Sequence, residues 1–429
     1  MSEHDIQKIL QSLQIPSEYA RYESTDDISR LNTWKASTVQ LLRDLSRSIN
    51  EKELSVTEQA DVIAAVASFS DTEPWTSPES RALATEILSN FSEPNLSLML
   101  QLLEQNVNPP FRSSLHPLLN PSTGRKLSRP AGGPMGSQDF YETQTWKNYP
   151  AAANLVFWCL RHIQSQDYGR LWYLVIPPIM TFLDDYQVPY KLKGVKMVEE
   201  LLQHVPREIL KRTGVDGLIL TSLNNCLAQL DDVKSPQLIQ ATVPVSLSLS
   251  LITTTPGSPA QFDQLCTLLG ERIIGTIWLY SYDKLGVVQA SVDTLPPLLS
   301  ALGLGSSRYL KALIPQLLHP LIPIPFALSP FELQISSLRA LTVVIHECSY
   351  RMPQWKGTII DGISRCWINL TDTQSTDDSC SSARREELKK QLRSTCETLV
   401  KVCPTIIEEF RRLLVTEHEM FHDLVAGIA

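Results

Sequence analysis

The sequence feature that most constrains the fold is a helix-pair pattern that recurs at intervals near 40 residues. The first helix of each pair has an apolar anchor, at Ile179, Leu218, Ile273, Leu313 and Ile359, and these anchors are 39, 55, 40 and 46 residues apart. Because one pair cannot bury its apolar face alone, successive pairs must stack. We predict an all-α fold, a HEAT/armadillo-like α-solenoid of stacked antiparallel helix pairs. The alternative is a compact, irregular helical domain.

Proline and glycine divide the chain into three predicted parts. Residues 1–106 are a helical region, in which 27–49 has apolar residues at helical spacing and Ser77-Pro78 is typical of a helix start. Residues 107–140 hold six prolines and four glycines, which predicts a linker or a long surface loop. Residues 141–429 carry the HEAT-like repeats, with an acidic loop near 371–382.

The segment 107–140 is also basic. It concentrates Arg112, Arg125, Lys126 and Arg129 within a short stretch. Such a segment either contacts acidic partners or carries a phosphorylation site at Ser128, or it is a solvated tether. We favour the tether, because charged, proline-rich stretches usually remain in water.

Composition narrows the class of protein. The chain has 38 Lys and Arg against 46 Asp and Glu, a net charge of −8, and therefore lacks the basic surplus of a nucleic-acid-binding protein. Eight cysteines are scattered without a Cys-x-x-Cys pair, which is typical of a reducing compartment. No basic-then-apolar leader and no apolar run of about 20 residues is present. We expect a soluble, intracellular protein without membrane contact.

One block of sequence resembles a known family. The stretch Ile176–Leu202, IPPIMTFLDDYQVPYKLKGVKMVEELL, resembles the signature block of the Tel-two-interacting protein two family, and 279–299, LYSYDKLGVVQASVDTLPPLL, also fits. The resemblance covers residues from about 150 to 430. Part of the block, namely paired prolines, an aspartate pair, then basic residues and a small residue, is general to HEAT repeats. The residues that carry it are Pro177, Pro178, Asp184, Asp185, Tyr186, Lys191, Lys193 and Gly194.

The resemblance implies a function that composition and periodicity do not. Members of the family are the smallest subunit of the Triple-T co-chaperone complex, so the resemblance implies a non-catalytic scaffold that needs no cofactor or metal. It implies binding to the Tti-one scaffold and, through it, to Tel-two. Indirect partners are the phosphatidylinositol-3-kinase-related kinases, whose maturation the complex supports, and the ninety-kDa heat-shock chaperone machinery. The implied location is cytoplasmic and nuclear.

The signature residues also have a structural interpretation of their own. Pro177-Pro178 is expected to kink its helix, because proline removes a backbone donor and crowds the preceding turn. Asp184 or Asp185 can cap the helix that starts near Pro189. Lys191 or Lys193 can reach an aspartate of an adjacent repeat, and Gly194 lets a neighbouring helix approach closely. We favour these structural roles over direct contact with a partner.

The sharpest alternative is a zinc-dependent hydrolase. His418-Glu419-Met420-Phe421-His422 matches His-Glu-x-x-His, in which two imidazoles four residues apart on a helix hold zinc and the glutamate activates water. A third ligand is required, and Asp423 is the one candidate downstream. We favour a terminal helix of the repeat stack. A second alternative is a transport or trafficking adaptor built on a similar solenoid.

Overall fold

The computed structural model describes residues 3–20, 25–51, 53–113, 115–132, 140–142, 144–323, 330–372 and 379–426. These residues form twenty α-helices, several short 3-10 helices and two π-helical stretches, Leu103–Val107 and Thr267–Trp278, and they contain no β-strand. One isolated bridge joins Leu119 and Lys126. The prediction of an all-α fold is therefore confirmed.

The chain divides into two units, Met1–Leu223 and Asn224–Ala429. The helices of the first unit are α1 Glu3–Ser12, α2 Thr25–Glu51, α3 Val56–Ala67, α4 Pro78–Ser89, α5 Leu96–Leu102, α6 Ala152–His162, α7 Tyr168–Leu183, α8 Val188–His204 and α9 Arg207–Thr213, followed by α10 Val215–Cys226, which contains the point of division. The predicted three-part division at residues 106 and 140 stays a prediction.

The first unit is a set of neighbouring helices packed on their apolar faces. The helix α2 packs against α1 and α4, α3 packs against α4, α5 and α6, and α8 packs against α6 and α7. Local signals explain several helix starts. Ser77 is the N-cap residue of α4, and its side chain accepts a hydrogen bond from the Ser80 backbone N–H. At the start of α3, Ser55 and Glu58 form a reciprocal capping box.

The second unit stacks its helices in two layers. Its helices are α11 Ser235–Thr253, α12 Pro259–Cys266, α13 Leu285–Asp293, α14 Leu295–Leu302, α15 Leu310–Leu318, α16 Phe331–Glu347, α17 Met352–Asp372, α18 Ser379–Val402, α19 Ile407–Thr416 and α20 His418–Val425. In one layer α11, α13, α16 and α18 contact one another in that order. In the other layer α12 contacts α14, α15 contacts α17, and α17 contacts α20. This confirms the predicted HEAT/armadillo-like stacking of antiparallel helix pairs.

One apolar core runs through the second unit. Buried leucine, isoleucine and valine side chains extend from Leu227 to Val425. A π-helix over Thr267–Trp278 continues α12 without a break. An acidic loop was predicted near 371–382. The helix α17 ends at Asp372, and α18 begins at Ser379. Residues 373–378, the centre of the predicted loop, lie outside the described residues.

The described part of the basic segment, 107–113 and 115–132, is irregular in backbone but packed on the first unit. Phe111, His116 and Leu119 are buried. Trp172 donates its indole N–H to the carbonyl of Gly124 at 2.9 Å, and Gly124 needs a left-handed backbone there, with φ +62°. These residues therefore form a packed loop, and the favoured interpretation as a solvated tether is wrong for them. Ser128 is exposed, and its phosphorylation stays a prediction.

Within the parts of the chain that the structure describes, no single helix is both long and apolar enough to cross a membrane. One bent pair of segments, 285–293 with 295–321, meets that test by length and composition.

Candidate functional site

The candidate site is the turn between α7 and α8, where the predicted signature residues meet. The helix α7 continues through Pro177 and Pro178, both buried, and the expected kink at these prolines stays a prediction. Asp184 is the C-cap residue of α7, and Pro189 stands in the first turn of α8. The N-cap of α8 is Gln187, without a side-chain cap, so the expectation that Asp184 or Asp185 caps α8 is wrong. The sequence Asp184-Asp185-Tyr186-Gln187 thus connects two antiparallel helices.

Asp184 is held by side chains from two distant segments. Its Oδ2 atom lies 2.8 Å from Nε2 of His116 and accepts the Ser222 hydroxyl at 3.0 Å. The other ring nitrogen of His116, Nδ1, accepts the Leu118 amide N–H at 3.2 Å, so Nε2 carries the proton that is donated to Asp184. This carboxylate therefore fastens the packed loop to the end of α7.

Asp185 is fully buried and performs two tasks. Its Oδ1 accepts the backbone N–H of Gln187 at 2.8 Å, which fixes the turn. Its Oδ2 lies 2.8 Å from Nζ of Lys147, a distance of an ion pair, although the two groups are not aligned as a hydrogen bond. The Lys147 ammonium also stands 4.2 Å from the ring centre of Tyr186 and 4.8 Å from that of Tyr190. A carboxylate and aromatic rings together hold this cation.

The two carboxylates affect a neighbouring phenol. Burial raises the pKa of Tyr141, and the negative charges of Asp184 and Asp185 raise it further. The direction follows because both effects disfavour a second anion in the same place.

The lysines and the glycine after the turn lie elsewhere on α8. Lys191 is buried and donates to the carbonyl of Leu183 at 3.4 Å, while Lys193 pairs with Glu73 of the N-terminal region at 2.9 Å. Within the described ranges neither lysine contacts an aspartate of a neighbouring repeat, which differs from the expected ladder. A Cβ at Gly194 would lie 2.4 Å from the Leu183 backbone nitrogen, so the close packing of α7 and α8 requires glycine.

Sequence reasoning did not find the residues that complete this site. His116, Lys147 and Ser222 come from positions far from the Asp184-Asp185 pair, and Tyr190 comes from the helix that follows it. The available signal was a lone histidine inside a proline-rich segment, and nothing in its spacing pointed to an aspartate 68 residues later.

The grouping of serine, histidine and aspartate does not have the geometry of a catalytic triad. In a triad the serine bonds to the histidine, which acts as its base, and the aspartate orients the histidine from the far side. Here Ser222 and His116 both bond to the same oxygen of Asp184. The serine has no base in this arrangement, so the cluster is suited to holding chain segments together.

The His-Glu-x-x-His motif lies on α20. The rings of His418 and His422 are 5.3 Å apart, and His422 approaches the Asp423 carboxylate at 3.2 Å. Among the described residues, no group of three or more His, Cys, Asp or Glu is placed to hold a metal ion. The other side of α20 packs into the stack, where Trp367 donates its indole N–H to the Met420 carbonyl at 2.8 Å. The described residues thus supply no third ligand beside His418 and His422.

With this geometry in place, comparison with known proteins decides the family. Residues 62–329 match the Tti2 family, a stretch of well over half the chain. The chain belongs to the Tti2 family. The resemblance was expected to cover residues from about 150 to 430. The family match starts earlier, at residue 62, and ends earlier, at residue 329.

Two curated Tti2-family relatives illustrate how far the similarity extends. The human protein "TELO2-interacting protein 2" is 30% identical over 134 residues, which cover 31% of this chain and 23% of that protein. The rat protein of the same name is 24% identical over 245 residues, which cover 56% of this chain and 44% of that protein. The matched stretches therefore span less than half of either relative.

Proposed function

We propose that this chain is a non-catalytic scaffold subunit of a Triple-T co-chaperone complex. In this role it binds the Tti-one scaffold and, through it, Tel-two. The complex then supports the maturation of phosphatidylinositol-3-kinase-related kinases together with the ninety-kDa heat-shock chaperone machinery, in the cytoplasm and the nucleus. The chain acts by contact and carries out no chemical step.

The observation that carries the proposal is the match of residues 62–329 to the Tti2 family. The relatives of this family are named for interaction with TELO2. Stacked helix pairs suit such a role, because they present extended surfaces to other proteins. The polar cluster around Asp184 and Asp185 is paired with side chains of the same chain, namely His116, Ser222 and Lys147, which is the arrangement of a structural centre.

Affinity purification of the tagged full-length chain, followed by mass spectrometry, tests the proposal. We expect the Tti-one scaffold and Tel-two in the retained fraction in near-stoichiometric amounts. A retained fraction without the Tti-one scaffold would refute the proposal. Coat or cargo proteins in its place would favour the trafficking adaptor.

A metal assay on the same preparation addresses the hydrolase alternative separately. The arrangement at His418 and His422 predicts no stoichiometric zinc after purification without chelator. His418→Ala is expected to leave partner capture unchanged, because the imidazole is on the solvent side of α20. Zinc at one equivalent, lost in that variant, would revive the alternative.

A further inference from the structure

Two inter-helix turns of the second unit, with the helix ends beside them, expose large apolar side chains. One turn precedes α11 and contains Val233. The other precedes α13 and contains Tyr282; Leu279 and Tyr280 end the helix before it, and Leu285 is the first residue of α13. The exposed fraction of these five side chains runs from 52% to 94%. We call the five residues the apolar turn patch.

The two turns are neighbours. The ammonium of Lys284 forms an ion pair with the carboxylate of Asp231, which joins the second turn to the first. The helices that follow them, α11 and α13, contact each other, and the Pro236 side chain lies 3.4 Å from where a Cβ on Gly286 would stand. The patch is therefore one surface made of two turns.

The segment 279–284 is held in place by buried side chains and hydrogen bonds on either side of its exposed residues. Trp278 is buried and donates its indole N–H to the Ser291 hydroxyl at 2.9 Å. Ser281 is buried, and its carbonyl accepts the Lys284 amide at 3.0 Å. Leu279, Tyr280 and Tyr282, which lie between and after these two buried residues, are exposed. The exposure of Leu279, Tyr280 and Tyr282 is thus built into the turn.

The helix that leads into this turn has an unusual geometry. The stretch Thr267–Trp278 is π-helical over twelve residues. The π-helix is rare, normally occurs as a single-turn bulge, and frequently marks functional sites. A long π-helix that ends at the exposed patch therefore favours a site of interaction at this turn.

The shape and charge of the patch define the partner surface it fits. The side chains are half to almost fully exposed, so a complementary surface has to enclose them in a groove of its own. Around them Asp231, Asp232 and Asp283 are exposed, and the Asp231 side chain is 92% exposed in spite of its ion pair. Lys234 and Lys284 are the neighbouring cations, so the turns carry an acidic surplus. A basic rim on the partner would neutralise that surplus.

We propose that the apolar turn patch is a docking surface for a partner protein that presents an apolar groove edged by lysine or arginine side chains. Tyrosine is enriched among the residues that dominate binding energy at protein interfaces, and exposed contiguous apolar patches mark such interfaces. The inference deepens the proposed function and rests on it, since it assigns the surface through which the scaffold engages a subunit of its complex.

The test compares tagged full-length chains expressed in cells. The test variant is Tyr280→Ser/Tyr282→Ser. The matched control is Tyr350→Ser/Val415→Ser, which also replaces two exposed apolar residues of the second unit, outside the patch. The amount of Tti-one scaffold retained per bait is measured, and thermal melting of each purified chain is recorded. We expect capture by the test variant to fall at least tenfold with unchanged melting, while the control keeps wild-type capture.

A charge variant sharpens the assignment. Asp232→Lys/Asp283→Lys is expected to reduce capture severalfold, and wild-type capture is expected to weaken as salt is raised, because exposed charge pairs are screened. If wild-type capture does not change with salt and the charge variant captures as much scaffold as the wild-type chain, the proposed basic rim on the partner is overturned.

The outcomes separate the two proposals. Equal capture by the wild-type chain and Tyr280→Ser/Tyr282→Ser, with unchanged melting, overturns the docking inference and leaves the proposed function standing. A wild-type chain that retains no Tti-one scaffold overturns the proposed function and the inference that rests on it. Sedimentation that shows a wild-type dimer and a monomeric test variant assigns the patch to self-association and overturns the basic-groove partner.

Discussion

The turns at 184–187 and 231–234 begin from the same residues and end in opposite environments. Both start with an aspartate pair, and in both the second aspartate accepts, at 2.8 Å, the backbone N–H of the residue two positions on. In the first unit Asp184 and Asp185 point inward to His116 and Lys147. In the second unit Asp231 and Asp232 lie in solvent, next to exposed apolar side chains. The local turn is the same, and what packs over it decides its role.

The two aspartate pairs differ in burial because other chain segments pack over the first pair. In the first unit the packed loop and residues around Lys147 deliver a histidine and a lysine to the acidic pair. Buried carboxylates are tolerated only when such partners neutralise them and satisfy their oxygens. In the second unit Lys284 forms an ion pair with Asp231 and leaves that carboxylate exposed. We therefore interpret the first turn as a structural lock and the second as part of a binding surface.

The largest expected effect separates Asp185 from Asp232. Asp185→Ala leaves Lys147 buried without its counter-charge and removes the acceptor for Gln187, which is expected to cost about 4 kcal/mol of unfolding free energy. Asp232→Ala, the matched control, removes an equivalent hydrogen bond in solvent and is expected to cost about 1 kcal/mol or less. Urea unfolding of both variants measures the difference. Equal losses would contradict the contrast between the two turns.

The next effect tests how tightly the helices on either side of the first turn are packed. Gly194→Ala places a Cβ against the backbone of Leu183 and Phe182, which cannot move aside as a flexible side chain can. We expect a loss of about 3 kcal/mol, at the upper end for overpacking. Gly169→Ala on α7 is the control, because a Cβ there meets nothing within 4 Å, and it should be neutral or slightly stabilising. Thermal and urea unfolding show whether the two glycines differ.

A smaller effect tests whether the packed loop belongs to the lock. His116→Ala removes the bond to Asp184 but leaves Ser222 in place, so we expect a loss of about 2 kcal/mol. Hydrogen exchange in residues 115–127 should accelerate in this variant. His346→Ala, at an exposed histidine, serves as control and should change neither quantity. Unchanged exchange in His116→Ala would show that the loop is held by other contacts.

The smallest expected effect is the loss of stability that each of two buried thiols causes at alkaline pH. Burial raises the pKa of Cys366 and of Cys396 to about 12, above the ordinary thiol value. A raised pKa in the folded state means that the folded chain keeps protons that the unfolded chain loses, so stability is complete below about pH 9 and falls as the pH rises toward 12. Between pH 8 and pH 10 we expect a loss of about 1 kcal/mol per thiol. Cys366→Ala/Cys396→Ala should flatten this decline, and an unaltered slope would contradict the assignment.

The sequence predicted the features of the fold that depend on neighbouring residues, and it did not predict contacts between residues far apart in the chain. The start at Ser77-Pro78, the start near Pro189 and the recurrence of helix pairs depend on neighbours within a few residues, so they can be inferred from the sequence alone. The π-helix over Thr267–Trp278 was missed because its apolar spacing resembles that of an α-helix.

The candidate site was predicted only in part for the same reason. The aspartate pair and Gly194 stood out, because their effects on a turn and on helix packing are local. The side chains opposite the pair were missed, since His116 and Lys147 come from segments that prolines and irregular backbone made look unstructured. The expected lysine–aspartate ladder rested on proximity along α8, whereas packing turned Lys193 toward Glu73.

The most direct test of the division into a structural lock and a docking surface measures unfolding free energy and Tti-one capture for Asp185→Ala and Tyr280→Ser/Tyr282→Ser side by side, at a temperature low enough to keep both variants folded. We expect a crossed result: Asp185→Ala is strongly destabilised and still captures the scaffold, whereas the tyrosine variant keeps its stability and loses capture. If both variants change stability and capture together, or if the tyrosine variant still captures the scaffold, the division into a structural lock and a docking surface is contradicted.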